Sequence, residues 1–368
     1  MLPIFAALLA LVAVLNFRPA PDFVWAWILA LAVSEYGHWL VLLPLGLGIL
    51  AVETLHGPAL GVTVILCAWS IGALLRPAFQ AWRLGRTFGE GVFSFRRLYF
   101  RRAPRRANVI MHTFASVDGE ELKLDFYPPT NPAGRSMPCV VIIHGGGWDQ
   151  GTREQIPEWN HRLAARGYAV AAIDYRLAPK WHWPAPREDV LGAITWLKAH
   201  AMELGVDPHK LVLLGRSAGG QIATAAGYGA DDPDIAGVIA FYAPHDMRFA
   251  WSVSRDDDAL GSLRLMRQYF GVPLDAKKIE TVRLYQSGSG QWLAKKSSPR
   301  TLLIHGVPDT LVWHRHSVRL SGHLSHLGVK HHFLSLPWAT HAFDFNADGP
   351  GGQLADYAMR EFLIEVTR

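Results

Sequence analysis

The sequence predicts an α/β fold, with a mostly parallel central sheet and helices on both faces, preceded by an all-α apolar region. The first 75 positions are nearly continuous apolar sequence. From about residue 108 onward, short β-rich runs alternate with segments of helical spacing, a pattern typical of a parallel sheet covered by helices. An Asp118-Gly119 pair between two alternating runs predicts an antiparallel hairpin at the start of this sheet.

The N-terminal apolar region predicts three or four transmembrane helices. A bilayer span needs about 20 apolar residues, and residues 55–75 reach that length without a formal charge. Three shorter apolar stretches cover residues 2–17, 23–34 and 36–52. The charged residues of the first 75 positions are Arg18, Asp22, Glu35 and Glu53. Such a region is difficult to accommodate as buried helices of a water-soluble core.

Two other interpretations of this region are less favoured. A secretory signal peptide would carry Lys or Arg before its apolar run, and no basic residue precedes the first stretch. A transporter with a fused enzyme would rest on Glu35, since an ionisable group at bilayer depth suggests function. Residues 35–38, Glu-Tyr-Gly-His, predict an interfacial turn instead.

A basic segment follows the apolar region directly. Residues 76–106 contain nine arginines and one acidic residue, Glu90. Arginines directly after an apolar region are typical of the positive-inside pattern and of a surface attracted to anionic lipid. This interpretation is favoured over a nucleic-acid patch. It predicts a cytoplasmic location for the rest of the chain. We therefore expect transmembrane helices in residues 1–76, a basic juxtamembrane linker or cap segment in 77–107, and an α/β domain in 108–368.

The α/β domain should contain eight strands. The hairpin comprises residues 109–116 and 121–127, and the later strands are expected at residues 139–143, 169–174, 211–214, 238–241, 301–304 and 332–336. Helical spacing appears at 188–204 and 314–327. The long connection 246–296 contains many large apolar residues, and loops of such length in compact domains are usually functional. We interpret it as a cap insertion, with helices packed on the sheet edge as the alternative.

A Gly-x-Ser-x-Gly pattern at residues 215–219 lies between a predicted strand and a predicted helix, the context in which it forms a nucleophile elbow. A sharp strand-to-helix turn needs small flanking residues and presents the hydroxyl of Ser217 at a helix N-terminus, whose dipole favours developing negative charge. Ser217 is therefore the candidate nucleophile.

A second glycine-rich motif, His144-Gly-Gly-Gly-Trp148, ends an earlier predicted strand. Acyl transfer places negative charge on the former carbonyl oxygen, and backbone N–H groups without bulky side chains stabilise it well. We predict an oxyanion hole from the amides of Gly146, Gly147 and Ala218. A phosphate-binding loop is disfavoured because neither the dinucleotide spacing nor a Lys-Ser/Thr ending is present.

A serine nucleophile needs a general base and a residue that orients this base. Asp309 and His341 each follow a predicted strand, so both should lie at the carboxyl edge of the sheet. The chain order Ser, Asp, His is that of α/β-hydrolases. His305 and His144 are rival bases at turns, and Asp344 is an alternative acid. The predicted catalytic residues are Ser217, Asp309 and His341.

No cofactor or metal is expected. The two cysteines, Cys67 and Cys139, lie in an apolar stretch and a predicted strand, which excludes a disulfide scaffold or a Cys-rich metal site. The 17 histidines show no pair with metal-ligand spacing and an acidic partner on a convincing helix.

Residues 109–368 resemble the hormone-sensitive-lipase-like esterases, and are also similar to bacterial carboxylesterases and feruloyl-esterase-like enzymes of the α/β-hydrolase superfamily. Besides the motifs above, the shared sequences are Asp-Tyr-Arg-Leu-Ala-Pro at 174–179 and Pro-Ala-Pro-Arg-Glu-Asp at 184–189. The resemblance implies that Asp174 ends a strand and that Arg176 pairs with an acid such as Glu188. Many relatives carry Asp where this chain has Arg216.

The resemblance implies a serine carboxylic-ester hydrolase, an esterase or lipase that acts on short to medium acyl chains without a cofactor. Combined with the apolar region, it predicts a membrane-anchored enzyme whose partners are small-molecule or lipid esters and membrane lipids. The alternatives are a lipid or lipoprotein deacylase or acyltransferase with the same triad, and a non-catalytic membrane binding module. The acyl pocket, the oligomeric state and the role of Arg216 stay open.

Overall fold

A computed structural model describes residues 1–100, 103–130 and 136–368 of the chain. Arg101 and Arg102, which belong to the predicted basic segment, lie outside the described residues. The chain divides into two compact units. The first contains Met1–Arg102, Gly306–Leu311 and Ser335–Tyr357. The second contains Ala103–His305, Val312–Leu334 and Ala358–Arg368.

The N-terminal part of the first unit is helical. Its helices are α1 (Leu2–Ala13), α2 (Val24–Glu35), α3 (Gly37–Leu40), α4 (Leu42–Thr54), α5 (Gly57–Phe88) and α6 (Phe95–Tyr99). Asn16 follows α1, and its buried side-chain amide donates hydrogen bonds to the carbonyls of Val33 in α2 (3.3 Å) and Ala73 in α5 (2.9 Å). One amide therefore joins three apolar segments through hydrogen bonds.

Two segments of this helical part, Gly37–Thr54 and Gly57–Phe88, have the length and apolar composition of membrane spans. The helices at Leu2–Asn16 and Val24–Glu35 are apolar but shorter. The predicted linker 77–107 begins inside α5, which continues to Phe88. The predicted turn after Glu35 is present between α2 and α3, but Glu35 and His38 are both buried.

Eight strands form one sheet in the order β1-β2-β4-β3-β5-β6-β7-β8. They are β1 (Ile110–Val117), β2 (Glu120–Tyr127), β3 (Met137–Ile143), β4 (Ala169–Ile173), β5 (Val206–Arg216), β6 (Ile235–Phe241), β7 (Arg300–Gly306) and β8 (His331–Leu336). The hairpin β1-β2 and the β2-β4 pair are antiparallel, and the pairs from β4 through β3, β5 and β6 to β7 are parallel. The mostly parallel sheet and its strand positions are confirmed.

The continuous apolar runs of the sequence coincide with the central strands of the sheet. Every residue of β4 is fully buried, as are Leu211 to Leu214 of β5. Since successive side chains point to opposite faces of a sheet, complete burial means that both faces are covered. The hairpin turn places Asp118 and Gly119 at φ values of 48° and 82°, the left-handed conformation that Asp-Gly pairs adopt readily.

The remaining helices follow the strands. They are α7 (Pro157–Ala165), α8 (Ala185–Ala199), α9 (Ala201–Leu204), α10 (Ala218–Gly229), α11 (Met247–Val253), α12 (Ser262–Phe270), α13 (Ile279–Ser287), α14 (Gly290–Leu293), α15 (Arg315–Leu327) and α16 (Pro350–Thr367). The long connection 246–296 is thus folded as four helices, α11 to α14. Its Leu265, Met266, Tyr269, Phe270 and Tyr285 belong to the main hydrophobic core.

Candidate active site

Ser217 lies in a sharp turn between β5 and α10. Its backbone has φ 52° and ψ −119°, a conformation that L-residues rarely adopt. Its amide donates to the carbonyl of Phe241 (2.9 Å), and its carbonyl accepts the amides of Gly220 (2.9 Å) and Gln221 (3.1 Å). The strained residue is therefore fixed by its neighbours on both sides, as expected of a nucleophile elbow.

The glycines that flank Ser217 are required by close backbone contacts. A Cβ atom at Gly215 would lie 2.1 Å from the carbonyl oxygen of Gly219. A Cβ at Gly219 would lie 2.2 Å and 2.3 Å from the carbonyl oxygens of Ile143 and His144. These distances are far below van der Waals contact with atoms of rigid backbone, so the turn accepts no side chain at either position.

The glycine loop after β3 is equally constrained. Gly146 and Gly147 have φ values of 120° and 60°, and a Cβ at Gly146 would lie 2.0 Å from the carbonyl oxygen of Gln150. His144 contacts the Gly145 carbonyl through Nδ1 (2.7 Å) and stacks on Tyr175, with ring centroids 4.2 Å apart. Burial lowers the pKa of His144, which favours a neutral ring. His144 is thus engaged within its own loop.

Asp309 and His341 form a hydrogen-bonded pair within the first unit. Their Oδ2 and Nδ1 atoms are 2.8 Å apart, and both side chains are buried. The other carboxylate oxygen of Asp309 accepts the amide of Leu311 (3.0 Å). A buried carboxylate on Nδ1 fixes the orientation of the ring and leaves Nε2 as the atom that can exchange a proton with a substrate.

The rival residues have other roles in the structure. His305 contacts the Ser317 hydroxyl through Nδ1 (2.8 Å) and the Val312 carbonyl through Nε2 (2.9 Å), so both ring nitrogens are engaged in the turn after β7. Asp344 is buried in a short 3-10 helix, Phe343–Phe345, whereas Asp309 contacts the His341 ring. The structure therefore pairs His341 with Asp309, as the sequence predicts.

Gln221 is a polar residue of this region that the sequence reasoning missed. Its side-chain oxygen accepts hydrogen bonds from the Trp148 indole (2.8 Å) and the Tyr269 hydroxyl (3.0 Å), and all three side chains are buried. The rings of Trp148 and Tyr269 also stack, with centroids 4.7 Å apart. Gln221 thus joins the glycine loop, the serine helix and the 246–296 insertion. Its position four residues after Ser217 was the available signal.

Two ion-pair networks support the loops of the second unit. Arg153 contacts Asp125 (2.9 Å) and Asp174 (2.7 Å), which follows β4 as expected. Arg176 pairs with two acids of α8. The expected ion pair with the exposed Glu188 is present at 3.4 Å, and the buried Asp189 is closer, at 2.8 Å. The sequence reasoning missed Asp189.

Arg216, the unusual residue of the elbow, is buried, and its guanidinium lies over the Phe241 ring, 5.3 Å from the centroid. This is the geometry of a cation–π contact.

The two cysteines are free thiols, both buried, in α5 and β3. Burial raises the pKa of Cys139 to about 12, so this thiol stays protonated and unreactive.

Comparison with known proteins identifies the family. The BD-FAE domain matches residues 124–324, more than half of the chain, and this range includes the glycine loop, the elbow and Asp309. The chain belongs to the BD-FAE family. The similarity extends to Esterase LipC of Mycobacterium tuberculosis, which is 30% identical over 258 residues, 65% of this chain and 60% of LipC. The chain thus spans less than two thirds of the length of LipC.

Other similarities cover more of the chain. The probable carboxylic ester hydrolase LipM of M. tuberculosis is 26% identical over 386 residues, 93% of this chain and 86% of LipM. Among solved structures, a bacterial heroin esterase matches with TM-score 0.62 and 24% identity over 71% of this chain and 85% of its own. The similarity to solved structures confirms the α/β-hydrolase fold that the motifs predict.

Proposed function

We propose that this protein is a membrane-anchored serine carboxylic-ester hydrolase that acts through an acyl-enzyme on Ser217. The observation that carries the proposal is the pairing of buried Asp309 with His341 Nδ1, together with a serine held at positive φ in an elbow. LipC is an esterase and LipM is a probable carboxylic ester hydrolase, and both similarities support the same reaction class.

The topology supports joint action of the three residues. Ser217 follows β5, Asp309 comes shortly after β7, and His341 comes shortly after β8. The pairs from β5 to β7 are parallel, and β8 is the neighbour of β7 in the sheet. In α/β sheets of this kind, ligands bind beyond the carboxyl ends of the strands. The serine, the acid and the base each follow a strand of this sheet, and we propose that they act together.

In the proposed mechanism, His341 Nε2 removes the hydroxyl proton as Ser217 Oγ attacks the ester carbonyl carbon. The amides of Gly146, Gly147 and Ala218 donate to the resulting oxyanion. His341 then returns the proton to the leaving alcohol, and the acyl group stays on Ser217. A water molecule, deprotonated by His341, then attacks the acyl carbon of this acyl-enzyme. His341 returns the proton to Ser217 Oγ as the bond from Oγ to the acyl carbon breaks, which releases the acid and restores the free enzyme. Each oxyanion donor contributes roughly 10²–10³ in rate.

The helical N-terminal part supports membrane attachment. Gly37–Thr54 and Gly57–Phe88 are long and apolar enough to cross a bilayer, and large side chains on this part, such as Trp25 and Ile65, are about 70% exposed. We infer that these surfaces face lipid and that the arginines after α5 contact anionic headgroups on the cytoplasmic side. Esters dissolved in or near the membrane are the proposed substrates.

The test of this function is the variant Ser217→Ala, purified in detergent and assayed with a chromogenic short-chain ester. We expect activity to fall by at least about 10³-fold, together with loss of fluorophosphonate labelling. Ser252→Ala is the matched control, because the Ser252 hydroxyl is exposed and bonds within α11. Undiminished turnover by Ser217→Ala would refute the proposal.

The same acyl-enzyme could donate its acyl group to an alcohol instead of water. Turnover of a lipid ester in the presence of a competing long-chain alcohol separates the two reactions, since hydrolysis gives free fatty acid and transfer gives a new ester. We propose hydrolysis as the main reaction, and a product mixture dominated by the new ester would assign the protein as an acyltransferase.

A further inference from the structure

The loop that carries His341 is buried although it has little regular structure. It runs from the end of β8 to the start of α16, and from Trp338 to Pro350 every residue except Phe345 is buried. Loops normally run over the protein surface because their backbone polar groups need partners. Something must therefore cover this loop and satisfy its polar groups.

The N-terminal apolar helices supply part of that cover, within the first unit. The Trp27 indole of α2 donates a hydrogen bond to the backbone carbonyl of His341 itself (3.2 Å). The side-chain amide of Asn346 donates to the backbone carbonyl of Glu35 at the end of α2 (2.8 Å). These contacts join residues more than 300 positions apart in sequence.

Glu35 makes the most specific of these contacts. Its carboxylate is completely buried and accepts the backbone amide of Gly351 (3.0 Å), in the first turn of α16. A helix N-terminus has unsatisfied N–H groups and a positive dipole end, both of which favour a carboxylate. Cβ atoms at Gly349 and Gly351 would lie 2.6 Å and 3.0 Å from the Glu35 oxygens, so the two glycines make room for this carboxylate.

Further contacts continue along the same segment. Arg97, between α5 and the start of the sheet, forms an ion pair with Asp348 (2.9 Å). The Ser94 amide donates to the Gln353 side chain (2.8 Å), which in turn donates to the Ser94 carbonyl (3.1 Å). Asp348, just before α16, and Gln353, near its start, are thus both bonded to the N-terminal part.

We infer that Glu35 and Trp27 are positioning residues that hold the His341 loop, so the apolar N-terminal part is a working component of the catalytic centre as well as an anchor. The inference rests on the proposed function. An anchor alone needs only apolar side chains, and burying a carboxylate costs several kcal/mol unless it is well bonded. The contacts with the His341 loop explain why an acid occupies the end of this apolar helix.

The test compares Trp27→Phe and Glu35→Ala with the unaltered chain in detergent. Trp27→Phe keeps a ring and removes the donor to the His341 carbonyl. We expect kcat to fall about tenfold to a hundredfold with KM unchanged, because small displacements of a base slow the reaction without weakening substrate binding. Glu35→Gln should keep most of the kcat, since its amide oxygen can still accept the Gly351 amide.

Matched controls exist on the N-terminal helices. Trp25→Phe changes a tryptophan of α2 that is 73% exposed, and Glu53→Ala removes an exposed acid near the end of α4. Both should leave kcat unchanged. Fluorophosphonate titration separates mispositioning from misfolding, because folded variants with a displaced base label more slowly but to the full extent.

Three outcomes would overturn the inference: full kcat in labelled, folded Trp27→Phe and Glu35→Ala; a rise in KM without loss of kcat; or equal losses in the Trp25 and Glu53 controls. Ser217→Ala is measured in parallel. If it retains activity, the proposed function itself fails. If it is inactive while the Glu35 and Trp27 variants match the unaltered chain, only the positioning role fails.

Discussion

Close backbone approach determines which residues the serine turn can contain. Gly215 and Gly219 contact carbonyl groups of the turn and of the neighbouring strand end so closely that a methyl group has no space. Backbone atoms of a packed sheet move little, so a substitution there must displace Ser217 or the glycine loop. The flanking glycines are thus a condition for the serine geometry rather than only a sequence signature.

Gly219→Ala should therefore inactivate the protein. Its Cβ would lie 2.2 Å from the Ile143 carbonyl oxygen, and we expect a loss of stability of about 1–3 kcal/mol together with a large loss of esterase activity. Gly229→Ala, at the other end of α10, has only ordinary contacts of 3.8 Å. This control should be neutral or stabilised by up to about 1 kcal/mol. Thermal unfolding and ester turnover of the two variants check the prediction, and an active Gly219→Ala contradicts it.

Asp309→Asn should reduce kcat/KM by about 10³- to 10⁴-fold with little change in folding, because an amide at this position favours the wrong tautomer of His341. Asp344→Asn is the comparison, since the sequence leaves Asp344 as an alternative acid. We expect Asp344→Asn to retain far more activity than Asp309→Asn. The reverse order in steady-state kinetics would reassign the acid.

Elements differ in how well their sequence predicts them. Strands buried on both faces, such as β4, appear as continuous apolar runs, and the Asp118-Gly119 turn identifies the hairpin locally. The contacts of Glu35 with Gly351 could not be predicted, because they join positions 316 apart and nothing local to Glu35 indicates its partner. The closer partner of Arg176, Asp189, could not be predicted for a related reason, since Glu188 and Asp189 are adjacent and helix phase alone decides which one points inward.

The insertion 246–296 is attached to the serine helix through Gln221, and this attachment can be measured. Gln221→Leu leaves the buried Trp148 and Tyr269 donors without their acceptor. We expect a loss on the order of 3 kcal/mol, against about 1 kcal/mol for Tyr269→Phe. The double variant should lose less than the sum, because the Tyr269 donor is no longer present to be left unsatisfied.

Thermal unfolding of the four chains in this cycle gives the coupling. Tyr285→Phe is a suitable control, because its hydroxyl donates to the Val272 carbonyl within the insertion (2.9 Å) and does not contact Gln221. Additive losses for Gln221→Leu and Tyr269→Phe would mean that these two side chains are not coupled.

At the scale of the whole molecule, buried histidines make stability depend on pH. His245 is fully buried, and burial, followed by the neighbouring His316 and His305, lowers its pKa well below 6.5. The lowered pKa of His144 acts in the same direction. Below pH 6.5 the unfolded chain therefore binds protons that the folded chain does not, so the free energy of unfolding decreases as the pH falls.

Between its folded-state pKa and its unfolded-state pKa, each such histidine changes the free energy of unfolding by up to about 1.4 kcal/mol per pH unit. His245→Phe, which keeps an aromatic ring without a titrating group, should flatten the decline in thermal stability between pH 6.5 and 5, although its stability at pH 7.5 can be lower. His326→Gln removes an exposed histidine and should leave the slope unchanged. The difference between the two chains in the slope of stability against pH depends only on the protons that His245 takes up on unfolding. Equal slopes for His245→Phe and the unaltered chain would therefore show that His245 is not a source of the acid sensitivity.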